Sequence, residues 1–318
     1  MIMAWGVALV AIGPGLLTCA PTAHGSPGLG HPSQLYETIT AGFSGTALLA
    51  ERMGKGADAA VAVDTTIPIL LQRLRALDGV PLPPLYVSAP ALSTITPIAF
   101  GASAGQIVVG VEIQTRTRYT NSADGGIGMA LGLGDPARLG LDLGVAVLDL
   151  LPNRSGRDGP AQRGSFNLKV HHTFPAGAAV AAGAENVLRW GGSDVPASIY
   201  VVASARSPAV HGDSISGRFY GSVGVGTGRF QSEQAVIRDR HTVGVFGSLA
   251  LSVVKSSRLF AEWTGEDLGL GASVVPARDV PAVISVGLMD VTGNAGDGAR
   301  WIFSLTYSFG VHLPGNSR

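Results

Sequence analysis

The chain has 318 residues, of which 45 are glycine and only 14% are charged, a composition that disfavours a soluble globular protein of this size. Lys+Arg and Asp+Glu number 22 each, so the formal net charge is zero and no basic surface is available for nucleic acid. The single cysteine, Cys19, excludes an internal disulfide and any cysteine-based metal cluster or active site.

The N-terminus has the pattern of an export signal. Residues 2–18 form an apolar stretch of signal-peptide length, and an Ala-His-Gly sequence follows with small residues suited to cleavage. We therefore expect residues 1–25 to be a signal peptide. The usual basic segment is missing, since no Lys or Arg precedes Arg52, and this leaves the true start site open. A Leu-Leu-Thr-Cys sequence ending at Cys19 resembles a lipoprotein signal, although Thr before the Cys fits poorly.

Residues 26–94 differ in character from the rest of the chain. Proline and small residues surround one predicted helix, 67–77, whose apolar residues fall on one face. The three prolines within 80–85 then interrupt both helix and sheet. We expect a partly helical or disordered N-terminal arm, which either stays in the periplasm or enters the barrel as a plug. A mostly disordered linker is the alternative.

Alternating apolar and polar residues dominate the chain from Gln106 onward. Most of the alternating segments have roughly the 9–11 residues that a tilted transmembrane strand needs, and their number is even, as in bacterial barrels. The segments are 106–119, 125–134, 138–151, 163–174, 177–187, 197–206, 217–228, 241–254, 258–265, 268–275, 281–290 and 299–310. The predicted fold class is all-β, an antiparallel transmembrane β-barrel of about twelve strands. It would occupy residues 95–310 and leave a C-terminal tail, 311–318.

Connection lengths support this topology. With a periplasmic C-terminus, most short connections fall on the periplasmic side and most long ones outside, as in known barrels. Two connections are exceptions: 207–216 is long for a periplasmic turn, and 265–267 is short for an outer loop.

The last predicted strand shows which residues face lipid. Its apolar side chains recur with a period of two, and hydroxyl residues occupy the positions between them. The predicted lipid-facing residues are Trp301, Phe303, Leu305, Tyr307 and Phe309. Val145 is predicted to face lipid near the middle of strand 138–151. Aromatic residues at both ends suit the two membrane interfaces.

The same parity predicts a lumen lined by charges of both signs. The predicted lumenal residues are Glu112, Gln114, Arg116, Arg118, Asp142, Lys169, His171, Glu185, Arg206, Arg218 and Glu262. A narrow barrel can pair many such charges. Arg116 and Arg118 have two interpretations: a constriction that binds anionic solutes, or structural pairing with neighbouring acids.

Four sequence motifs carry a resemblance to known proteins: RTRYTN at 116–121, GLGDP at 132–136, AEWTG at 261–265 and DVTGNAGDGAR at 290–300. Through them the chain resembles a family of uncharacterised cyanobacterial β-rich, outer-membrane-like proteins. It is more distantly similar to exopolysaccharide-associated outer-membrane β-barrels. The resemblance spans about residues 98–310 and implies an outer-membrane barrel. It implies no functional residue, because the family has no established function.

These features predict an outer-membrane barrel acting as a narrow pore or as a scaffold for envelope or polysaccharide export. Expected partners are outer-membrane lipid, the barrel-assembly machinery and, for a scaffold, envelope or polysaccharide-export proteins; no nucleic acid, cofactor, metal or catalytic residue is predicted. The alternative is a secreted or surface-bound β-sheet structural protein without a pore, in which alternation reflects two packed sheets. An outer-membrane hydrolase is a third hypothesis, which rests on the adjacent His171 and His172; it also needs a Ser and an orienting amide beside an exposed His.

Overall fold

A computed structural model describes residues 89–118, 121–148, 150–151, 162–191, 196–208, 218–238, 240–277, 280–293, 295–296 and 298–311. The predicted signal peptide, the predicted helix and nearly all of the C-terminal tail lie outside these residues. Within the described ranges, no helix is both long enough and apolar enough to cross a membrane.

The described chain forms twelve strands, each paired with its neighbours in antiparallel fashion. They are β1 (Gln106–Gln114), β2 (Asp124–Asp135), β3 (Leu139–Leu148), β4 (Arg163–Thr173), β5 (Ala178–Trp190), β6 (Ser198–Arg206), β7 (Phe219–Gly226), β8 (Gly244–Val254), β9 (Ser257–Trp263), β10 (Leu268–Val274), β11 (Ala282–Met289) and β12 (Arg300–Gly310). A 3₁₀ turn (Gly228–Phe230) and a short helix, α1 (Glu233–Ile237), lie between β7 and β8. The first strand pairs with the last, so the sheet is a closed barrel, and the predicted fold class is confirmed.

The two ends of the barrel differ in their connections. Gln106, where β1 begins, pairs with Gly310, where β12 ends; we call this end the near end and the opposite one the far end. The near-end connections are 136–138, 174–177, 207–218, 255–256 and 275–281. The far-end connections are 115–123, 149–162, 191–197, 227–243, 264–267 and 290–299. Most near-end connections are short, as on the periplasmic side of known barrels. The two exceptions noted in the sequence, after β6 and after β9, remain.

Several strands differ in length from the sequence prediction, and β1 and β5 show why. β1 ends at Gln114, five residues early, because the chain turns back on itself there: the Thr117 N–H donates to the Ser122 carbonyl at 3.0 Å. β5 instead continues to Trp190 across irregular pairing with β4, where Asn186 and Leu188 adopt positive φ values of 56° and 47°. Asparagine tolerates this left-handed conformation better than most residues, which helps the strand to continue.

The barrel has an apolar exterior. In β12, Trp301 and Leu305 are 47% and 52% exposed, whereas Ile302 and Thr306 beside them are 2% and 5% exposed. Phe303, Tyr307 and Phe309 are exposed as well, and Val145 in β3 is partly exposed on the same outer surface. Closed antiparallel barrels with such an exterior are outer-membrane proteins, because closure satisfies every backbone group in lipid. The chain is therefore placed in the outer membrane, as the sequence predicts.

Charge on this exterior should impair assembly in proportion to membrane depth. Arg at a lipid-facing position near the midplane costs about 2–4 kcal/mol, but only about 0–1 kcal/mol near the interface. We expect Val145→Arg to lower the fraction of folded, heat-modifiable barrel and its urea midpoint. Leu139, on the same face of β3 but at the near end, is 62% exposed and supplies the matched control, Leu139→Arg. Equal losses in both variants would contradict this placement of the membrane.

Candidate functional site: the barrel lumen

A segment that precedes β1 lies inside the barrel. We call residues 89–105 the lumenal segment; every side chain from Ala91 to Phe100 is buried. The segment enters at the near end, where the Arg258 guanidinium donates to the Pro90 carbonyl and Ser273 Oγ donates to the Ala91 carbonyl at 3.0 Å. It also leaves at the near end, immediately before β1. The segment is thus a hairpin that rises into the lumen and returns.

One buried carboxylate holds the top of this hairpin. Glu262 of β9 is 1% exposed, and its carboxylate accepts the backbone N–H groups of Thr94, Ile95 and Thr96 at 2.8, 3.1 and 2.9 Å. The Thr96 hydroxyl donates to the same carboxylate at 2.6 Å. Successive backbone N–H groups of this kind form a concave anion-binding nest. The protein's own glutamate fills the nest and satisfies these buried donors.

An arginine from the far-end connection 227–243 reaches the same turn. The Arg229 guanidinium donates to the Ile95 carbonyl at 3.0 Å and to Glu185 of β5 at 2.6 Å. It also stacks on the Phe230 ring, 4.2 Å from the ring centroid. The connection therefore folds inward, and its ion pair joins the hairpin to the wall.

The descending part of the hairpin is held by β3, β4 and β6. Lys169 Nζ donates to the Phe100 carbonyl at 2.9 Å, and the Ala102 N–H donates to Asp142 Oδ1 at 3.0 Å. Lys169 and Asp142 also form an ion pair of 3.0 Å, and His171 Nε2 lies 3.3 Å from Asp142 Oδ1. On β6, the Ser204 hydroxyl accepts the N–H of Ala99 at 2.8 Å.

Apolar contacts fill the lumen on the side of β5 to β9. Phe230 and Phe246 stack there with ring centroids 4.2 Å apart. The buried cluster consists of Leu92, Ile98, Ala99, Phe100, Ala179, Ala181, Tyr200, Val202, Tyr220, Phe230, Phe246, Ala250 and Phe260. The glycine-rich stretch 221–228 makes room for it: a Cβ on Gly224 would lie 2.3 Å from Cζ of Phe246. Gly224 therefore serves packing, as does Gly226, whose Cβ would lie 2.5 Å from Cδ2 of Phe230.

Ion pairs close the far end. Asp267, in connection 264–267, is fully buried and accepts from Arg118 at 3.1 Å and from Arg300 at 3.0 Å. Arg118 also pairs with Glu266. Burial alone would raise the pKa of the Asp267 carboxyl, but the guanidinium groups of Arg118 and Arg300 outweigh it and hold that pKa below its usual value.

The structure places the predicted lumenal residues in three zones. Glu112, Gln114, Asp142, Lys169, His171, Glu185 and Glu262 lie on the inward faces of strands. Arg206 lies at the near-end rim against Gly177, and Arg218 immediately precedes β7. Arg116 and Arg118 lie beyond β1, in a far-end connection. Arg116 donates to the carbonyls of Gly298 and Ala299, and Arg118 is paired with acids, which favours the structural interpretation of the two arginines.

The sequence analysis did not identify three arginines that make these contacts. Arg229, Arg258 and Arg300 each hold a lumenal or far-end group, and none of them is among the predicted lumenal residues. His171 is 1% exposed against the lumenal segment, and the described residues contain no group of three His, Cys, Asp or Glu side chains placed to hold a metal ion.

Comparisons with known proteins return porin-like folds at low similarity. No family model matches the chain, and no curated protein matches it. Among solved structures, the KdgM porin is 11% identical over 65% of this chain and 99% of that chain, with a TM-score of 0.40. An outer-membrane channel from Pseudomonas putida F1 is 11% identical over 66% and 97%, with a TM-score of 0.41. The outer-membrane protein Omp33 of Acinetobacter baumannii is 6% identical over 65% and 98%, with a TM-score of 0.35. The resemblance to a cyanobacterial family stays a prediction.

Proposed function

We propose that the protein is an outer-membrane channel closed at rest by its lumenal segment. The observation that carries this proposal is the way the segment is held. Side chains of the wall and of connection 227–243 bind its backbone or its hydroxyl groups, as Glu262, Lys169 and Asp142 do. The sheet itself is closed without the segment, since β1 pairs with β12. Such contacts can break one by one, whereas removing a paired strand would open the barrel.

The path of the segment indicates how the channel opens. Its contacts with Arg258 and Ser273 and its link to β1 all lie at the near end, the periplasmic side of the proposed channel. A hairpin with both ends on one side can withdraw towards that side without threading through the wall. Opening then requires the release of the Glu262 nest and of the Lys169–Asp142 group.

The competing function is a scaffold for envelope or polysaccharide export. A permanently filled barrel needs no opening, and the apolar cluster around Phe230 and Phe246 suits such a role. The two functions differ in one measurable property, because only the channel gains conductance when the lumenal segment is removed.

Planar bilayers provide the test. We expect the full-length protein to give rare, small conductance steps, and a variant lacking residues 26–102 to give frequent, larger ones, because all twelve strands remain while the lumen empties. Deletion of 26–88 is the matched control: it keeps the lumenal segment and should behave like the full-length protein. Folding is checked by β-type circular dichroism and heat-modifiable migration. If the folded variant lacking residues 26–102 shows no conductance, the channel hypothesis is rejected and the scaffold is favoured.

A further inference from the structure

A groove crosses the lipid-facing exterior of the barrel from β5 to β9. Its volume is about 650 Å³, which is comparable to the roughly 300–1,000 Å³ of small-molecule sites. Small outward residues form its floor: Ala178, Ala203, Ala205, Gly221, Gly247 and Ala261. A Cβ on Gly221 would meet only Leu249 Cδ2, at 3.5 Å, so the floor is open there. On β12, by contrast, every outward residue from Trp301 to Phe309 is large. We call this depression the exterior groove.

The exterior groove starts at the near end and continues into the depth of the membrane. Phe174, in the near-end connection 174–177, lines its beginning, and Trp263, the last residue of β9, lines its other end. Between them runs one row of paired outward residues: Val180, Ala203, Val223, Gly247 and Trp263. Because barrel strands are tilted, a row of this kind changes depth as it crosses them. An acyl chain that enters at the near end can therefore follow the groove into the hydrocarbon region.

Three basic residues border the near end of the same strands: Arg206 at the end of β6, Arg218 before β7 and Lys255 between β8 and β9. We call them the basic rim. Arg206 Nε would lie 2.3 Å from a Cβ on Gly177, so this side chain covers the turn between β4 and β5, where the exterior groove begins. Arg218 is a diagonal neighbour of Arg206, because Arg206 pairs with Tyr220, two residues after Arg218. The two guanidinium groups therefore lie on the same side of the sheet.

The protein does not balance the charge of the basic rim. Among the described residues, no ion pair engages any of its three members, and Arg218 Nε is buried without a hydrogen-bond partner. The acid described at the near-end rim, Asp135, lies between β2 and β3 and pairs there with Arg138. The positive charge beside the exterior groove is thus available to an anion from outside the protein.

The basic rim begins where the apolar exterior ends. Each of its members is next in the chain to an outward, exposed apolar residue: Ala205, Phe219 and Val254. This sequence of apolar and basic groups places the rim at the level of the lipid headgroups, while the exterior groove faces the acyl chains. The near end is the periplasmic side of the barrel, so these headgroups belong to the periplasmic leaflet.

We propose that the exterior groove and the basic rim together bind an anionic phospholipid of the periplasmic leaflet. An acyl chain lies in the groove, and the phosphate accepts hydrogen bonds from Arg206 and Arg218. Charge complementarity identifies this occupant, since a phosphate matches the fork of a guanidinium group and no protein carboxylate is described beside the rim. All phospholipids share acyl chains, so the rim supplies the selectivity. The inference goes beyond the proposed channel and does not depend on it, because a scaffold would bind the same lipid.

Trp263 reports occupancy of the exterior groove. The test variant keeps Trp263, carries phenylalanine in place of the other three tryptophans and is folded into phosphatidylcholine vesicles. A minor fraction of the lipid is replaced by brominated phosphatidylglycerol or, in parallel, by brominated phosphatidylcholine, because bromine atoms quench tryptophan fluorescence on contact. We expect phosphatidylglycerol to bind severalfold more strongly than phosphatidylcholine. Equal quenching by the two lipids overturns the proposal.

Variants of the basic rim test the role of its charge. Replacing both Arg206 and Arg218 by serine should abolish the preference for phosphatidylglycerol. The matched control is Arg138→Ser, which removes an exposed arginine at the same end but away from the exterior groove, and it should leave the preference intact. A preference that survives the double replacement, or that falls equally in the control, overturns the assignment to the rim.

Two further measurements separate the lipid from other occupants. Ala203→Leu fills the floor of the exterior groove and should weaken quenching by phosphatidylglycerol severalfold, whereas Ala272→Leu, on the outward face of β10, should not. Unchanged quenching in Ala203→Leu overturns the role of the groove. Inorganic phosphate should reduce the preference no more than chloride at equal ionic strength; a selective loss in phosphate would assign the rim to free anions. Folding of every variant is checked by heat-modifiable migration.

Discussion

Replacement of Glu262 by glutamine should release the top of the lumenal segment and lower the free energy of unfolding by about 3 kcal/mol or more. The carboxylate of Glu262 accepts three backbone N–H groups and the Thr96 hydroxyl while 1% exposed. A glutamine side chain presents an NH₂ group, itself a donor, towards part of this set. At least one buried donor then loses its acceptor, at about 1–3 kcal/mol each, and the charge-assisted bonds weaken.

Chymotrypsin sensitivity reports this release directly. Phe100 is 8% exposed inside the barrel, so cleavage after it should be slow in the unaltered protein and much faster in Glu262→Gln. The matched control is Glu233→Gln, because the Glu233 carboxylate accepts one backbone N–H, that of Gly296 at 2.9 Å, near the far end. It should leave Phe100 protected and cost about 1 kcal/mol. Unchanged cleavage in Glu262→Gln would show that the nest does not retain the segment.

The strand positions could be predicted from sequence because lipid and lumen impose opposite requirements on successive residues. In β3, Leu139, Leu143 and Val145 lie outside while Asp142 and Gly144 lie inside, which produces the period of two visible in the sequence. Strand ends were harder to predict. β1 stops at Gln114 because its far-end connection folds back through the Thr117–Ser122 hydrogen bond, a contact that the alternation pattern does not contain.

The lumenal segment could not be located from sequence for a physical reason. Its principal ligand, Glu262, was predicted to face the lumen, but the groups it binds are the backbone amides of Thr94, Ile95 and Thr96. Every residue except proline carries such a donor, so no side-chain pattern marks the nest. Residues 89–105 also contain no charged side chain whose burial would signal a partner.

The ion pairs could not be predicted from sequence, because their partners meet only when the barrel closes. Glu185 was predicted to point inward, but its partner Arg229 lies in connection 227–243, which the sequence assigned to the outside. The connection turns inward through the 3₁₀ turn that buries Phe230 against Phe246. Which loop reaches the lumen depends on the tilt and stagger of all twelve strands, which the alternation within one strand does not specify.

Loss of the Asp267 carboxylate should destabilise the far end by about 3–5 kcal/mol at neutral pH, because Asp267→Asn leaves two arginines facing each other in a buried site. Asp267 is fully buried, and both Arg118 and Arg300 donate to its Oδ2. Burial raises the pKa of Asp267, but the two guanidinium groups lower it by a larger amount. The folded state therefore holds this pKa below the unfolded value of about 3.9. The stabilisation is therefore complete above that unfolded value and disappears as the pH falls through the lower, folded pKa.

Urea unfolding of the detergent-folded barrel at neutral and strongly acidic pH checks this prediction. The difference between the unaltered protein and Asp267→Asn should be large at pH 7 and should shrink in acid, where Asp267 itself becomes protonated. Asp135→Asn serves as the control, since Asp135 and Arg138 form an exposed pair 4.0 Å apart that is worth about 1 kcal/mol or less. A difference for Asp267→Asn that stays constant over the whole pH range would contradict the role of its charge, because a purely steric defect does not titrate.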